Sequence, residues 1–345
     1  MDKDCCVVNK NLFNFLSSFG MMLLGIFLLF GFSVGISINK NPEYFYFPTS
    51  NHRLVVGGDE YLQVPSYAKP IVPLQKNKNI YVGDLIAQSI LIIDKNSGTV
   101  LYDKNSQDLK SLASITKLMS AMVLLELPRQ WDEVIEITTG DTVYNGSHTV
   151  QVGEKFTALD LWNAGLVNSS NESIMALVRT SGVTFDGFIT LMNRKAEKLG
   201  LTSLNFVEPT GIKEGNMGNA HDIIEILKEA LEYGKIKSAL STSEYYLEPI
   251  DSDKKRRIWS TDWLLSGWTA NNFKEVIGKT GFIELSGYNF VGEITGNNDK
   301  KIMTLILGAD TNENRFLEAR DLSEWIFKNY LWPDEIGYSE LVENF

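Results

Sequence analysis

The stretch "SILIIDKNSGTVLYDKN" (residues 89–105) contains two apolar, strand-like runs separated by the turn sequence "KNSG". Two such runs on either side of a short glycine-containing turn are typical of a β-hairpin. From Ser114 onward, apolar residues recur at three- and four-residue spacing, as in a helix. We therefore expect a hairpin followed by a largely buried helix.

The rest of the chain changes its pattern twice. Helical spacing continues from residue 156 to about residue 233, and strand-like runs return after residue 270 as "EVIGKTGFIEL", "GYNFVGEIT" and "KIMTLILGA". An amphipathic helical segment over 314–332 follows them. This order predicts an α+β fold: an antiparallel β-sheet made from both ends of the chain, flanked by helices and carrying a helical insert.

The N-terminal region has a different character. No charged residue occurs between Asn11 and Asn39. About 20 apolar residues span a bilayer as a helix, whereas a signal peptide has a shorter apolar core and a small-residue cleavage site. No such site follows here, so we expect an uncleaved transmembrane signal-anchor over residues 12–38.

The anchor sets the expected organisation of the chain. A short cytoplasmic N-terminus (1–11) would precede it, and an extracytoplasmic spacer (39–80) would follow, holding five of the nine prolines. We expect the main domain at 81–332 and a C-terminal tail at 333–345. The formal charge of −11 argues against nucleic acid as a partner, because nucleic-acid binding needs a basic surface.

Ser114 and Lys117 form an S-x-x-K pattern at the start of the first predicted helix. Three other S-x-x-K patterns lie at the membrane edge, in the spacer or in a charged loop. Side chains at positions i and i+3 share a helix face, and burial lowers the pKa of a lysine, so this pair could be a nucleophile and its base. From this motif alone, a serine cap beside a surface lysine is the commoner arrangement.

Two further patterns could contribute to a site. Ser169 and Asn171 form S-x-N just before another predicted helix, where either residue could be an N-cap. Lys279-Thr280-Gly281 is the only K-T-G of the chain and lies in an apolar strand, where a lysine often faces water at a sheet edge. Alternatively, the lysine and threonine could hold a carboxylate, and the glycine would let a ligand backbone approach closely.

The three patterns follow each other at intervals of 55 and 110 residues, and this set is typical of active-site-serine enzymes that recognise penicillin. Between about Ser89 and Trp332 the chain resembles the serine-type D-alanyl-D-alanine carboxypeptidases, the low-molecular-weight penicillin-binding proteins. The segments that carry the resemblance are "ILIIDKNSGTVLYDKNSQDLKSLASITKLMSAM", "GEKFTALDLWNAGLVNSSNESIMALV", "LMNRKAEKLGLTSLNFVEPTGI" and "VIGKTGFIELSGYNFVG".

The resemblance implies a β-lactamase/transpeptidase-like fold and three catalytic residues. Ser114 would be the acylated nucleophile, Lys117 its general base, and Ser169 the relay that carries a proton to the leaving amine. The reaction would cleave a terminal D-Ala-D-Ala bond through an acyl-enzyme, with no metal and no cofactor. Peptidoglycan stem peptides ending in D-Ala-D-Ala would be the substrates, and β-lactams would be covalent inhibitors.

The resemblance also implies the residues that bind the substrate. Asn171 would hydrogen-bond the substrate's peptide group, and Lys279 and Thr280 would bind its terminal carboxylate. Gly281 belongs to the same motif. The oxyanion hole would consist of the backbone N–H groups of the nucleophile and of Phe282. The protein would be a single-pass protein of the bacterial cell membrane, with its catalytic domain outside the cytoplasm.

Related activities and departures from the family pattern remain open at this point. A peptidoglycan D,D-endopeptidase would use the same motifs. A class A β-lactamase needs a glutamate in E-x-x-L-N, and this chain has Leu201 at that place. A β-lactam or wall sensor would need an output domain larger than the residues before the anchor. The family's S-G-N-D-A reads S-S-N-E-S here, and we expect Ser170, in place of glycine, to narrow the cleft.

Overall fold

A computed structural model of the chain describes residues 72–142, 149–252 and 254–343. The predicted cytoplasmic N-terminus (1–11), the signal-anchor (12–38) and most of the spacer lie outside these residues. No helix in the described ranges is long and apolar enough to cross a membrane.

The described residues form thirteen strands and nine α-helices. The strands are β1 (Leu74–Gln75), β2 (Ser89–Asp94), β3 (Val100–Lys104), β4 (Lys110–Ser111), β5 (Val134–Glu136), β6 (Lys155–Thr157), β7 (Met217–Gly218), β8 (Glu244–Leu247), β9 (Arg256–Trp259), β10 (Glu275–Ile283), β11 (Gly287–Thr295), β12 (Lys301–Ala309) and β13 (Tyr330–Leu331). The helices are α1 (Lys117–Glu126), α2 (Ala158–Val167), α3 (Asn171–Arg179), α4 (Phe185–Lys198), α5 (Ala220–Leu231), α6 (Gly234–Leu240), α7 (Trp263–Ser266), α8 (Asn314–Asn329) and α9 (Tyr338–Glu343).

A five-stranded antiparallel sheet lies at the centre of the domain, with the strand order β10-β11-β12-β2-β3. The predicted hairpin supplies β2 and β3, and the C-terminal strands supply the other three. Ile302 of β12 pairs with Asp94 of β2, which joins the two ends of the domain in one sheet. The predicted sheet built from both ends of the chain is therefore confirmed.

Strand β2 separates two hydrophobic layers. Successive residues of a strand point to opposite faces, so Leu91 and Ile93 belong to the core shared with the helical insert, whereas Ile90 and Ile92 belong to the core shared with α8. All four side chains are buried, and each contributes about 1.5–3 kcal/mol to folding. Burial on both faces explains why "ILII" is apolar without alternation.

The helical insert lies between β4 and β10 and surrounds α1. The eight consecutive residues from Lys117 to Leu124 are all buried, so this helix is enclosed on every side. Neighbouring α5 is amphipathic instead, and the Asn219 side chain caps it by accepting a hydrogen bond from Asp222 N at 2.9 Å. The insert therefore holds the N-terminal end of α1 rigidly against the sheet.

The domain extends beyond the expected limits of 81 and 332 at both ends. β1 pairs with β13 through Leu74 and Leu331, and Tyr338 of α9 donates a hydrogen bond to Val72 O at 2.7 Å. The end of the expected spacer and much of the expected tail are thus part of the folded domain. A two-residue strand and a six-residue helix are too short to produce a periodic pattern in the sequence.

Candidate active site

Ser114 lies in a tight turn that leads into α1. Residues Ala113–Thr116 form a 3₁₀ turn, and no side chain caps either this turn or the helix. Ala113 has φ +47°, a left-handed conformation that is unfavourable for alanine. In the run 111–124, Ser114 is the only residue that is not buried. Ser114 is therefore not a helix cap, and its side chain faces the open cleft.

Lys117 Nζ is surrounded by three oxygen atoms. It lies 2.7 Å from Ser114 Oγ, 2.6 Å from Asn171 Oδ1 and 2.8 Å from Thr210 O. The amide and carbonyl oxygens can only accept hydrogen bonds, whereas the serine hydroxyl can also donate. A neutral amine has two N–H groups for the two acceptors and one lone pair for the hydroxyl proton. The contacts thus suit a lysine that takes a proton from Ser114.

The surroundings of Lys117 make the neutral form accessible. Burial lowers the pKa of Lys117 to about 7, although the negative charges of Glu208 and Glu172 act in the opposite direction. Burial disfavours a charged ammonium because the apolar interior cannot replace its hydration. At neutral pH a substantial fraction of this lysine is therefore an uncharged amine. A lysine exposed to water, the alternative considered from the sequence, would stay charged at this pH.

Neither Ser169 nor Asn171, the two residues that the sequence offered, is the N-cap of α3. Ser170 is the N-cap of α3 and accepts a hydrogen bond from Ser173 N at 3.2 Å. The Ser170 side chain is fully buried, so the expectation that it narrows the cleft is wrong. Ser169 has φ +63°, and the reversal of the backbone at this residue leaves both Ser169 and Asn171 partly exposed.

The K-T-G lysine is buried although β10 is an edge strand. Lys279 is 1% exposed, and its Nζ donates to Ser169 Oγ at 2.8 Å and to Thr280 O at 3.0 Å. Thr280 Oγ1 lies 2.6 Å from Thr261 Oγ1. Lys279 therefore does not face water, and it connects the K-T-G strand to the S-x-N segment.

The electrostatic environment of Lys279 is cationic. Burial lowers the pKa of Lys279 well below its usual value, and the positive charges of Lys117 and Arg315 lower it further. Asp262 is the only carboxylate that acts in the opposite direction. Burial also raises the pKa of Asp262, to about 6, so this carboxylate is still mostly ionised at neutral pH. Asp262 forms no ion pair with Lys279 in the described residues, and the two cations outnumber it.

Gly281 brings the K-T-G strand against the nucleophile turn. A Cβ atom on Gly281 would lie 2.7 Å from Leu112 O and 3.1 Å from Ser114 N. The close approach that requires glycine is thus made by the chain's own backbone. Gly211 also packs against the nucleophile turn, since its φ is +91° and a Cβ would lie 1.8 Å from Ala113 O.

These segments enclose a cleft of about 580 Å³. The residues that line it come from the nucleophile turn, the start of α3, the loop after residue 210 and the β10–β11 hairpin: Ser114, Asn171, Gly211, Ile212, Glu214, Phe282, Ile283, Glu284 and Leu285. Phe282 is 47% exposed at the edge of this cleft. Of the predicted site residues, Ser114, Asn171 and Phe282 line this opening. The buried Lys117 and Lys279 reach the other motif residues through hydrogen bonds.

The sequence reasoning missed the loop that carries the Thr210 carbonyl. The buried Glu208 accepts hydrogen bonds from Thr210 N at 2.7 Å and from Asn216 Nδ2 at 2.7 Å, and so holds this loop in place. An acidic residue between apolar neighbours and a proline, as in "FVEPTGI", was the available signal.

In the described part of the chain no group of three His, Cys, Asp or Glu side chains could hold a metal ion. A reaction without metal or cofactor stays a prediction.

Comparison with known proteins identifies relatives over most of the domain. A family model described as Peptidase S11, D-alanyl-D-alanine carboxypeptidase, matches residues 75–311. The D-alanyl-D-alanine endopeptidase of Pseudomonas aeruginosa is 29% identical over 70% of this chain and 78% of its own length. The D-alanyl-D-alanine carboxypeptidase DacF of Bacillus subtilis is 28% identical over 71% of this chain and 63% of its own length.

Solved structures show the same architecture. The Streptomyces K15 DD-transpeptidase aligns with a TM-score of 0.64 at 24% identity, over 72% of this chain and all of its own. Penicillin-binding protein D2 of Listeria monocytogenes, in its cefotaxime-bound form, aligns with a TM-score of 0.62 at 26% identity, over 73% of this chain and all of its own. The penicillin-binding, transpeptidase-like α+β fold expected from the sequence is confirmed.

Proposed function

Because the chain belongs to the Peptidase S11 family of serine-type D-alanyl-D-alanine carboxypeptidases, we propose that it is a membrane-anchored carboxypeptidase that trims peptidoglycan stem peptides. One observation carries the proposal. Lys117 Nζ lies 2.7 Å from Ser114 Oγ while two acceptor-only oxygens occupy its remaining positions. This arrangement gives a serine the activating base that nucleophilic attack on a peptide carbonyl requires.

In the acylation step, Ser114 Oγ transfers its proton to the neutral Lys117 amine and attacks the carbonyl carbon of the penultimate D-Ala. The negative charge that develops on the carbonyl oxygen is stabilised by the backbone N–H groups of Ser114 and Phe282. Preorganised donors of this kind act strongly because they need no reorganisation during the reaction. The oxyanion therefore forms where the 3₁₀ turn and β10 approach each other.

The leaving amine needs a proton before the terminal D-Ala can depart. We assign this transfer to Ser169, whose hydroxyl oxygen accepts a hydrogen bond from Lys279 Nζ at 2.8 Å and whose own proton can therefore be donated to the amine. The proton that Lys117 accepted passes through Ser169 to the amine, the peptide bond breaks, and an acyl-serine ester remains. A water molecule then hydrolyses the ester and regenerates Ser114. Lys117 serves again as the base in this second step.

The substrate's terminal carboxylate would supply the ion-pair partner that Lys279 lacks in the described residues. Lys279 and Thr280 lie on β10 beside the cleft, and the burial of Lys279 without an ion-pair partner in the described residues favours an incoming anion. Asn171 Oδ1 accepts a hydrogen bond from Lys117 Nζ. Its Nδ2 remains to donate to the substrate's peptide carbonyl. This charge pattern supports cleavage of a peptide bond that is followed by a carboxylate, as in the carboxypeptidase reaction.

A D,D-endopeptidase is the second candidate. Relatives with both names are similarly close, since the Haemophilus influenzae D-alanyl-D-alanine endopeptidase is 31% identical over 60% of this chain and 70% of its own length. The residues that would perform the acylation are common to both reactions. In a cross-linked peptide the carboxylate of the released residue still follows the scissile bond, so the two activities differ in the size of the leaving group: a single D-Ala or a second stem peptide.

The test uses the purified full-length chain and its Ser114→Ala variant. Wild type should be labelled covalently by a fluorescent penicillin and should release D-Ala from a pentapeptide stem, and the variant should do neither. Release of monomers from cross-linked dimers without release of D-Ala would favour the endopeptidase. Absence of labelling in a folded wild-type protein would contradict the acyl-serine mechanism.

We also propose that residues 12–38 anchor the enzyme in the bacterial cell membrane, with the catalytic domain outside the cytoplasm. The support is the uncharged run between Asn11 and Asn39. Removal of residues 1–38 should move the protein from the membrane fraction to the soluble fraction without loss of penicillin labelling. Retention of the truncated protein in washed membranes would contradict this mode of anchoring.

A further inference from the structure

Arg315 is a buried cation for which the proposed reaction has no role. Only 5% of the residue is exposed. The guanidinium donates to Gly281 O at 3.0 Å, to Asn289 O at 3.1 Å and to the Asn312 side chain, and none of these acceptors is a carboxylate. Its Nε has no hydrogen-bond partner in the described residues.

The position of Arg315 is costly for folding. Arg315 is the second residue of α8, where the helix dipole disfavours a positive charge. Burial lowers its pKa to about 10, so the guanidinium nevertheless stays charged at neutral pH. Burying a charge without an ionic partner is unfavourable. A residue that stabilises the fold by packing alone would not need this charge.

The acceptor of this charge is connected to the oxyanion hole. Gly281 O belongs to the peptide group whose N–H is that of Phe282. No cis peptide bond occurs in the described residues, so the carbonyl and the N–H of this group point in opposite directions. One Arg315 nitrogen reaches both Gly281 O and Asn289 O, and these residues are paired across β10 and β11. The carbonyl therefore faces β11.

The N–H of Phe282 accordingly points away from β11. Since β10 is the edge strand of the sheet, the N–H is directed to the side where no further strand pairs. The nucleophile turn packs against the same point, because a Cβ on Gly281 would lie 3.1 Å from Ser114 N. Arg315 and the oxyanion therefore lie at opposite ends of one peptide group.

We propose that Arg315 is a positioning residue that orients and polarises the Gly281–Phe282 peptide, and so strengthens the Phe282 N–H as an oxyanion-hole donor. A hydrogen bond from a cation to a carbonyl draws electron density from the peptide nitrogen, which makes its N–H a stronger donor. The same nitrogen also donates to Asn289 O, so Arg315 ties the Gly281–Phe282 peptide to β11 and limits its rotation. This inference rests on the proposed acyl-serine function.

The test compares full-length wild type with Arg315→Met in acylation by a penicillin. The saturating acylation rate should fall by about 10-fold or more, because removal of an entire oxyanion donor typically costs about 100- to 1000-fold. The penicillin concentration at half-saturation should hardly change. In the acyl-enzyme formed with a ¹³C-labelled β-lactam, the ester carbonyl should absorb at a higher infrared frequency than in wild type, since a weaker donor polarises it less.

Matched variants separate this role from stability. Arg320→Met removes another arginine of α8 that lies outside the cleft lining, and Asn312→Ala removes an Arg315 partner but leaves the contact with Gly281 O. Both should acylate at the wild-type rate with an unchanged carbonyl frequency. Arg315→Lys keeps a cationic donor, so its rate and frequency should lie between those of wild type and Arg315→Met.

Several results would overturn the inference. An unchanged rate and frequency in folded Arg315→Met would do so. A higher half-saturating concentration with an unchanged saturating rate would do so too, because the guanidinium would then bind the ligand itself. If Arg315→Met does not fold, Arg315→Lys decides the question by the same frequency shift. A wild-type protein that is not acylated would instead reject the proposed function.

Discussion

Lys117 and Lys279 are both buried lysines beside a serine hydroxyl, yet their surroundings differ. Three oxygen atoms surround the Lys117 nitrogen, and two buried carboxylates act on its charge. Lys279 has two oxygen partners and two neighbouring cations, Lys117 and Arg315. The first environment balances the charged and neutral forms, which suits a base. In the second, two cations outnumber the single carboxylate of Asp262, which suits the binding of an anion.

The strongest test of this comparison removes the base. Lys117→Met should lower the rate of penicillin acylation by about 1,000-fold or more, because general-base catalysis contributes about 100- to 10,000-fold and Ser114 Oγ contacts no other basic side chain in the described residues. Stopped-flow fluorescence with a labelled penicillin measures the rate. Lys195→Met is the matched control, since Lys195 is also largely buried but pairs with Glu126. Its acylation rate should be that of wild type. Equal losses in both variants would show that stability, and not base chemistry, is being measured.

The second test concerns the anion site. Lys279→Gln should lower kcat/KM for a peptide ending in D-Ala-D-Ala by about 10- to 100-fold. The variant loses a charged hydrogen bond to the substrate's carboxylate, and such bonds contribute about 1.5–3 kcal/mol. The loss should be smaller for the same peptide with a C-terminal carboxamide, which carries no charge. D-Ala or D-Ala-amide release measures both reactions. An equal loss for acid and amide would mean that Lys279 acts through Ser169 and not through the substrate's carboxylate.

The third test varies pH. Because the reacting form of Lys117 is neutral and its pKa is about 7, acylation should become faster as pH rises through 7. Below this value the rate should fall about tenfold for each pH unit, in proportion to the neutral fraction. The rate of acylation by penicillin, measured from pH 5 to 9, gives the profile. A rate that is constant across this range would contradict the assignment of Lys117 as the base.

The smallest effect is expected when the K-T-G strand is pushed away from the turn that carries Ser114. Gly281→Ala places a methyl group against Leu112 O and Ser114 N, and overpacking of this kind typically costs about 1–3 kcal/mol. Gly234→Ala is the control, because no atom lies within 4 Å of the added Cβ. Urea denaturation should show lower stability only for Gly281→Ala, together with slower acylation. Wild-type acylation in Gly281→Ala would mean that the close contact is not needed for the site.

Much of the fold was predictable because its elements are long and periodic. The hairpin at 89–105, the buried helix after Ser114 and the three strands after residue 270 all have apolar patterns of the expected period. The limits of the domain were not predictable, because β1 and β13 have two residues each and are defined only by their pairing. Short elements become visible when the partner strand is known.

The identity of the site's side chains was predictable, but their burial and their contacts were not. The S-x-x-K, S-x-N and K-T-G patterns named side chains that contact one another at or behind the cleft. The alternatives considered for them, a serine cap and a lysine in water, could be rejected only with the observed burial and contacts of Ser114 and Lys279. The carbonyl of Thr210 was invisible because a backbone oxygen has no residue type that marks it.

The sequence by itself determined the family, the order of the central-sheet strands and the longer helices, and the residues that could perform an acyl transfer, because these depend on local pattern and on residue identity. Only the tertiary structure decided which lysine is the base and why Gly281 has no side chain. It also decided which peptide group the buried Arg315 holds. A pKa depends on burial and on neighbouring charges, and those neighbours come from segments more than 50 residues apart in the chain.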